Sequence, residues 1–206
     1  MSLRERKKAA TREALSAAAL RLALEQGADK VRVDDIADAA GVSPRTYNNY
    51  FASREQAIVA AITAERALRV AAALRARADQ PLADAVVAAV VEQYATEPDG
   101  DALTLITTAP RLRAEFVEAV SEIRQPVESA IAERVGDPVV AAVLAASVSA
   151  AARVALEQWV RPLGDKRPAF VVVHAERPLP ELLREALAVV APALRAADGT
   201  TETDRG

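Results

Sequence analysis

Glycine and proline divide this chain into stretches of helix length, and the residue that fills those stretches is alanine. Alanine makes up 49 of the 206 residues, against 7 glycines and 11 prolines. It has the highest helix propensity because it loses no side-chain freedom when a helix forms. With few β-branched runs to favour strands, the pattern predicts an all-α fold. A chain of this length can bury a sizeable core as one or two domains.

The breakers place the helical blocks. The first runs from Arg4 to Gln26, with Leu15, Ala18, Ala19 and Leu22 on one face, and stops at Gly27 as a C-terminal cap. Short blocks follow at Val33–Ala40 and from Ser43-Pro44 to Phe51. A fourth starts at Ser53 and has no breaker before Pro81, so it is free to run to Asp79. The second half continues with blocks between Pro81 and Pro98 and from Ala102 to Val135, the latter with breaks or kinks at Pro110 and Pro126. Pro138 and Pro180 suit the first turns of two last blocks, ending near Val160 and Ala197. Segment 161–177, next to Pro178 and rich in proline, reads as an ordered loop, and the polar tail 199–206 as disordered. No fixed-period repeat is present in the sequence.

Composition removes most chemistries. There is no cysteine, hence no disulfide scaffold, thiolate metal site or cysteine nucleophile. The single histidine, His174, has no ligand-type partner nearby in sequence, so no metal and no cofactor is expected. No nucleophile–base pair, spaced carboxylate pair or phosphate loop suggests an enzyme. The N-terminus is charged rather than apolar, which predicts no signal peptide. The longest uncharged stretch, Pro138 to Ala152, stops at Arg153 and reads as too short to span a bilayer. The expectation is a cytoplasmic protein with no membrane association.

Net charge is −3, but its distribution is uneven. Residues 1–55 carry a surplus of Lys/Arg over Asp/Glu, whereas residues 56–206 are acidic. The first twelve residues hold Arg4, Arg6, Lys7, Lys8 and Arg12 against Glu5 alone. A basic end on an acidic chain suits a polyanion partner, although a solvated terminus would look the same.

The informative stretch is VDDIADAAGVSPRTYNNYFASREQ, from Val33 to Gln56. Two short helices parted by one glycine are the signature of a helix-turn-helix. Ile36, Ala37 and Ala40 form the inner face of the first, and Ala37 is small enough for close crossing. Gly41 supplies the backbone of the turn, and Val42 plugs the corner. Ser43 is a natural N-cap, with Pro44 at the first helical position. Tyr47, Tyr50 and Phe51 then share an anchoring face, while Arg45, Asn48 and Asn49 share another. Arginine matches the O6/N7 edge of guanine and asparagine the N6/N7 edge of adenine, so the second face suits the major groove. Ser53 to Gln56 forms a capping box whose helix N-terminus, with Arg54, suits a phosphate; Arg32 and the amides opening the Val33 helix suit another.

Residues from Arg12 to Ile58 resemble the DNA-binding domain of TetR-family transcriptional regulators. The resemblance rests on Ile36-Ala37, Ala40-Gly41-Val42-Ser43, Thr46, Tyr50-Phe51 and Ser53-Arg54-Glu55. It implies an N-terminal three-helix helix-turn-helix DNA-binding domain at 1–55 and a C-terminal helical ligand-binding and dimerisation domain at 56–198. It implies a homodimeric repressor on palindromic operator DNA, released by a small-molecule effector. By position Arg45 and Asn49 would read bases. Ser43, Thr46, Tyr50 and Arg54 would hold phosphates, Asn48 could do either, and Pro44 belongs to the same DNA-binding set. Arg32 replaces a frequent threonine, keeping a phosphate contact but losing the cap; Asn48 replaces a frequent aromatic residue.

The resemblance also implies a four-helix dimer interface built from the last two helices. Small residues from Ala141 to Ala152 and the spacing of Leu182, Leu183, Leu187, Val190 and Leu194 fit either that interface or a core within one chain. Candidates for an effector pocket are Tyr94, Thr104, Thr107, Thr108, Phe116, Arg153 and Trp159, which combine aromatic bulk with polar handles. A DNA-binding regulator without a small-molecule ligand, or a helical interaction module, stays open as an alternative.

Overall fold

The computed structural model describes residues 2–63, 66–95, 100–160 and 177–203. All regular structure among them is helical, as expected. His174 and nearly all of the 161–177 loop lie outside the described residues. The chain forms two compact units, Met1–Ala64 with Pro98–Ala119 and Glu65–Glu97 with Val120–Gly206. The resemblance implies a boundary between residues 55 and 56.

The first unit begins with α1 (Leu3–Gln26). Its start is a closed capping box: the Ser2 amide donates to Glu5 Oε2 at 2.7 Å and the Glu5 amide to Ser2 Oγ at 3.2 Å. The basic residues that read as an arm therefore sit on the opening turns of α1, and Arg4, Arg6, Lys7 and Lys8 are exposed. α1 ends at Gly27, whose φ of 89° suits glycine and whose N–H donates to the Ala23 carbonyl. A 3-10 turn (Ala28–Lys30) leads to α2 (Val33–Ala39), α3 (Pro44–Asn48) and α4 (Arg54–Thr63). Leu15, Ala19, Ile36, Ala37, Tyr47 and Ile58 are fully buried between them. α1 packs on α2 and α4, and α2 on α3. Two further helices, α7 (Gly100–Thr108) and α8 (Pro110–Glu118), complete this unit, with α8 packed on α4. Pro110 opens α8, so the expected break falls there.

The second unit contains α5 (Arg66–Arg75), α6 (Leu82–Ala95), α9 (Arg124–Val135), α10 (Pro138–Trp159) and α11 (Leu179–Thr203). α5 stops at Arg75, short of the expected Asp79. Pro126 lies in the first turn of α9, where the ring does no damage, and the interruption before it is a 3-10 turn (Ala119–Ile123). α9 ends at Gly136 in the left-handed region, φ 78°. Asp137 then caps α10 by accepting from the amides of Val139 and Val140 at 2.8 and 3.1 Å.

α10 packs on both α9 and α11 and buries Ala141, Ala145, Ala152 and Ala155. Small residues thus lie on its buried side, where they favour close approach of neighbouring helices. α10 has 22 residues, and its most apolar 18-residue window has a mean hydropathy of 2.0, so by length and composition it is long and apolar enough to cross a membrane. Ending the stretch at Arg153 undercounted it, because Arg153 pairs with Glu157 one turn later and the helix continues. Its packing against α9 and α11 identifies it as a core helix.

α11 buries Leu182, Leu183, Leu187 and Leu194, while Val190 is half-buried. The helix runs to Thr203, past the Ala197 end inferred from polarity. Asp198 holds this end in place. Its carboxylate accepts from the Leu82 amide at 2.7 Å and from Arg134 Nη2 at 3.1 Å. Arg134 also donates to the Gln80 carbonyl at 2.8 Å, so one carboxylate ties the start of α6 to the ends of α9 and α11.

Candidate nucleic-acid interface

The corner between α2 and α3 is built from backbone. The Val42 amide donates to the Ala37 carbonyl at 2.9 Å and the Gly41 amide to Asp38 at 3.0 Å. Gly41 has φ of 69°, so the turn requires a residue without a Cβ penalty. Ser43 caps α3 by accepting from the Thr46 amide at 3.1 Å, and its hydroxyl meets Thr46 Oγ1 at 2.9 Å. Pro44 takes the first helical position.

α3 is only five residues long, shorter than the block expected to reach Phe51. The chain continues as a turn in which the Tyr50 and Phe51 amides both donate to the Tyr47 carbonyl. Tyr47 and Phe51 anchor the inner face at 0% and 2% exposure, their rings 5.8 Å apart. Tyr50 is only half-buried and shares this role less fully than expected. Tyr47 also donates its hydroxyl to the Ser53 carbonyl at 2.7 Å, joining α3 to the start of α4. Burial, reinforced by the Glu55 carboxylate, pushes its hydroxyl pKa up to about 12.

With the aromatic rings inward, Ser43, Pro44, Arg45, Asn48 and Asn49 are exposed and Thr46 is half-exposed. Arg45, Asn48 and Asn49 therefore share the outer side of α3 and its C-cap, offering an arginine fork and two amides. Arg32 is exposed at the N-cap of α2 and makes no capping bond with its side chain, as its substitution for a hydroxyl residue implies. Asp34 and Asp35 occupy the first turn of α2 and are exposed. Their charge offsets that of the free amides, which makes this helix start a poorer phosphate seat than the sequence reading proposed.

Two arginines read as polyanion contacts are engaged inside the fold. Arg54 donates through Nη1 to the carbonyls of Asp29 and Val31, both at 2.9 Å, and through Nε to Glu55 at 3.0 Å. It clamps the α1–α2 connection onto α4. Arg12 lies 4.6 Å above the Phe51 ring and donates to the Tyr50 carbonyl at 3.3 Å, fixing the end of the recognition segment to α1. The Ser53 cap is also modified. Ser53 Oγ accepts from Gln56 N, but Gln56 Oε1 reaches back to the Ala52 amide, one residue beyond a standard capping box.

The residues considered for an effector pocket fall in both units. Thr104, Thr107, Thr108 and Phe116 belong to the first; Tyr94, Arg153 and Trp159 belong to the second. The Thr107 and Thr108 hydroxyls both donate to the Thr104 carbonyl of their own helix. Phe116 and Trp159 are buried, and Arg153 is paired with Glu157. Tyr94 is 3% exposed, and a guanidinium that sequence reasoning missed, that of Arg66, lies 4.6 Å over its ring.

Residues 15–61 match the family described as "Bacterial regulatory proteins, tetR family", and residues 80–195 match the "MftR C-terminal domain". The HTH-type transcriptional regulator TcmR of Streptomyces glaucescens is 32% identical over 145 residues, 65% of this chain and 64% of TcmR. The matched stretch thus spans less than two thirds of that relative. Among solved structures, Thermus thermophilus FadR, a TetR-family repressor in complex with lauroyl-CoA, is 19% identical with a TM-score of 0.48, over 87% of this chain and 92% of that one. The fatty acid degradation regulator FadR from Bacillus halodurans is 16% identical with a TM-score of 0.45, over 87% and 94%. The match at 80–195 covers more than half of the chain, and the helix-turn-helix at 15–61 precedes it. This chain belongs to the TetR family of bacterial transcriptional regulators.

Proposed function

We propose that the protein is a ligand-responsive transcriptional repressor that binds palindromic operator DNA as a homodimer in the cytoplasm and is released by a small molecule. The observation that carries this reading is the sorting of side chains on α3. Tyr47 and Phe51 hold the helix rigidly from inside, while Arg45, Asn48 and Asn49 face outward with donors suited to purine edges. Arg45 and Asn49 read bases, Asn48 reads bases or phosphate, and Ser43, Thr46, Tyr50 and Arg32 face the backbone. Arg54, engaged with two carbonyls, positions α4 rather than gripping a phosphate. Residues 1–55 form the reading domain and 56–198 the regulatory and dimerisation domain.

The homodimer is supported by apolar side chains left outside the second unit. Val139, Val143 and Val154 on α10 are 70%, 60% and 41% exposed, and Val189 on α11 is 81% exposed. On two consecutive helices of one unit, these valines offer an apolar face that a second copy would bury.

Selection of bound duplexes from a random pool tests the reading. Wild type should enrich a palindrome with a fixed half-site spacing. Arg45→Ala should cost about 1–3 kcal/mol at one base position per half-site and leave the helical circular dichroism unchanged. A pool that stays random with wild type would remove the operator-binding claim.

A further inference from the structure

Arg66, the first residue of α5, is 7% exposed, and its Nε lacks a hydrogen-bond partner. Its guanidinium lies against the ring of Tyr94 on α6, itself 3% exposed. Among the described residues no carboxylate pairs with Arg66. The neighbouring Arg69, whose Nε donates to Gln93 Oε1, adds positive charge; exposed Glu122 bears on Tyr94. A buried guanidinium held by one neutral tyrosine, through its ring and its hydroxyl oxygen, is under-compensated, because removing a cation from water costs more than these contacts return.

We propose that Arg66 and Tyr94 form the anion-recognising end of an effector site, and that the effector is a small organic carboxylate with an apolar body. The inference rests on the regulatory reading above and names the ligand class for it. The Nε edge of a guanidinium presents two parallel N–H donors, which fit the two oxygens of a carboxylate. Tyr94 supplies a neutral hydroxyl donor, since burial keeps it protonated to about pH 12. Val70, Ala71, Leu74, Val86 and Val90, all buried on the same two helices, make this part of the unit apolar. Burial also lowers the pKa of Arg66, which marks the charge as costly until an anion arrives.

The test uses full-length protein with octanoate and benzoate, each against its neutral amide. In a thermal-shift titration, wild type should be stabilised saturably by at least one carboxylate and not by the matching amide. Arg66→Met keeps the volume without the charge. It should bind that carboxylate about tenfold or more weakly, the effect of losing a charged hydrogen bond. Without ligand its Tm should equal or exceed that of wild type, because the uncompensated charge is gone. Equal response to acid and amide, no response to either carboxylate, or undiminished carboxylate binding by Arg66→Met would each overturn the proposal. A large drop in the ligand-free Tm of Arg66→Met would do the same, by making the guanidinium structural. Fluorescence anisotropy with selected operator DNA on the same samples separates the two claims. Carboxylate recognition without DNA binding refutes the regulator reading and leaves the site intact; DNA binding without carboxylate recognition does the reverse.

Discussion

At the residue scale, the arginines of the reading domain divide into those that face solvent and those that hold the fold. Arg45 is exposed on α3, whereas Arg54 donates to two main-chain carbonyls 23 and 25 residues away. Arg54→Met should therefore destabilise the protein by about 2 kcal/mol, the scale of losing charged hydrogen bonds. It should weaken DNA binding through misplacement of α4, with a loss common to all sequences. Urea unfolding beside operator and random-duplex titrations checks this; unchanged stability with selective loss of operator would return Arg54 to the interface. The buried tyrosines make a pH prediction. Tyr47 and Tyr94 are each shifted from 10.0 to about 12 by burial. The folded state thus holds these protons more tightly than the unfolded chain does. Their contribution to stability is complete below pH 10 and disappears as pH rises through about 12. In an alkaline titration, tyrosinate absorbance from two of the three tyrosines should rise together with loss of the helical signal. Tyr47→Phe should leave one such group. Ionisation of both near pH 10 with the helices intact would contradict the burial argument.

At the element scale, α3 depends on its ends more than on its length. Five residues are too few for a helix to persist by itself, so the Ser43 cap and the Tyr47 and Phe51 anchors hold it. Ser43→Ala removes both the cap on Thr46 N and the hydroxyl pair with Thr46. It should cost about 1 kcal/mol of stability and weaken operator binding, while Ser43→Asp restores the cap but not the binding, because its charge faces phosphate. Chemical denaturation and DNA titration of both variants check the separation; equal DNA affinity for the two would mean that Ser43 acts only as a cap. The corner itself was legible in sequence because its determinants are local. Gly41, Ser43-Pro44 and the i, i+3, i+4 spacing of the rings lie within a dozen residues, and helical geometry relates them directly. The length of α3 was not, since residues 49–51 keep helical spacing while leaving regular helix geometry. Arg12, Arg54 and Arg66 were misread or passed over for another reason. The main-chain carbonyls that Arg12 and Arg54 hold lie 23 to 38 residues away, and Tyr94 lies on a different helix from Arg66. No periodicity links such groups before the chain folds. The helix end expected near Ala197 falls short of Thr203, and the tie made there by Asp198 is not legible because its partners, Leu82 and Arg134, come from two other helices.

At the scale of the whole molecule, a net charge of −3 conceals a basic reading domain on an acidic remainder. A weakly basic head alone would bind DNA loosely, so operator affinity should depend on two heads acting together. The exposed valines of α10 and α11 give that coupling a place to be tested. Val143 and Val189 are 60% and 81% exposed, so charge at these positions should leave the fold of one chain intact. In a dimer built on these faces, Val143→Glu with Val189→Glu would bury like charges against the partner copy. Light scattering should then report a monomer at micromolar concentration, with unchanged helical content. The salt dependence of operator binding separates lost coupling from a damaged head. Each phosphate neutralised adds a slope of about −0.9 to log K against log salt, so a monomer on one half-site should show about half the wild-type slope. A damaged head would instead lose slope and specificity while remaining dimeric. If the double variant stays dimeric, or is monomeric with wild-type affinity and slope, the α10–α11 face is not what joins two copies on DNA.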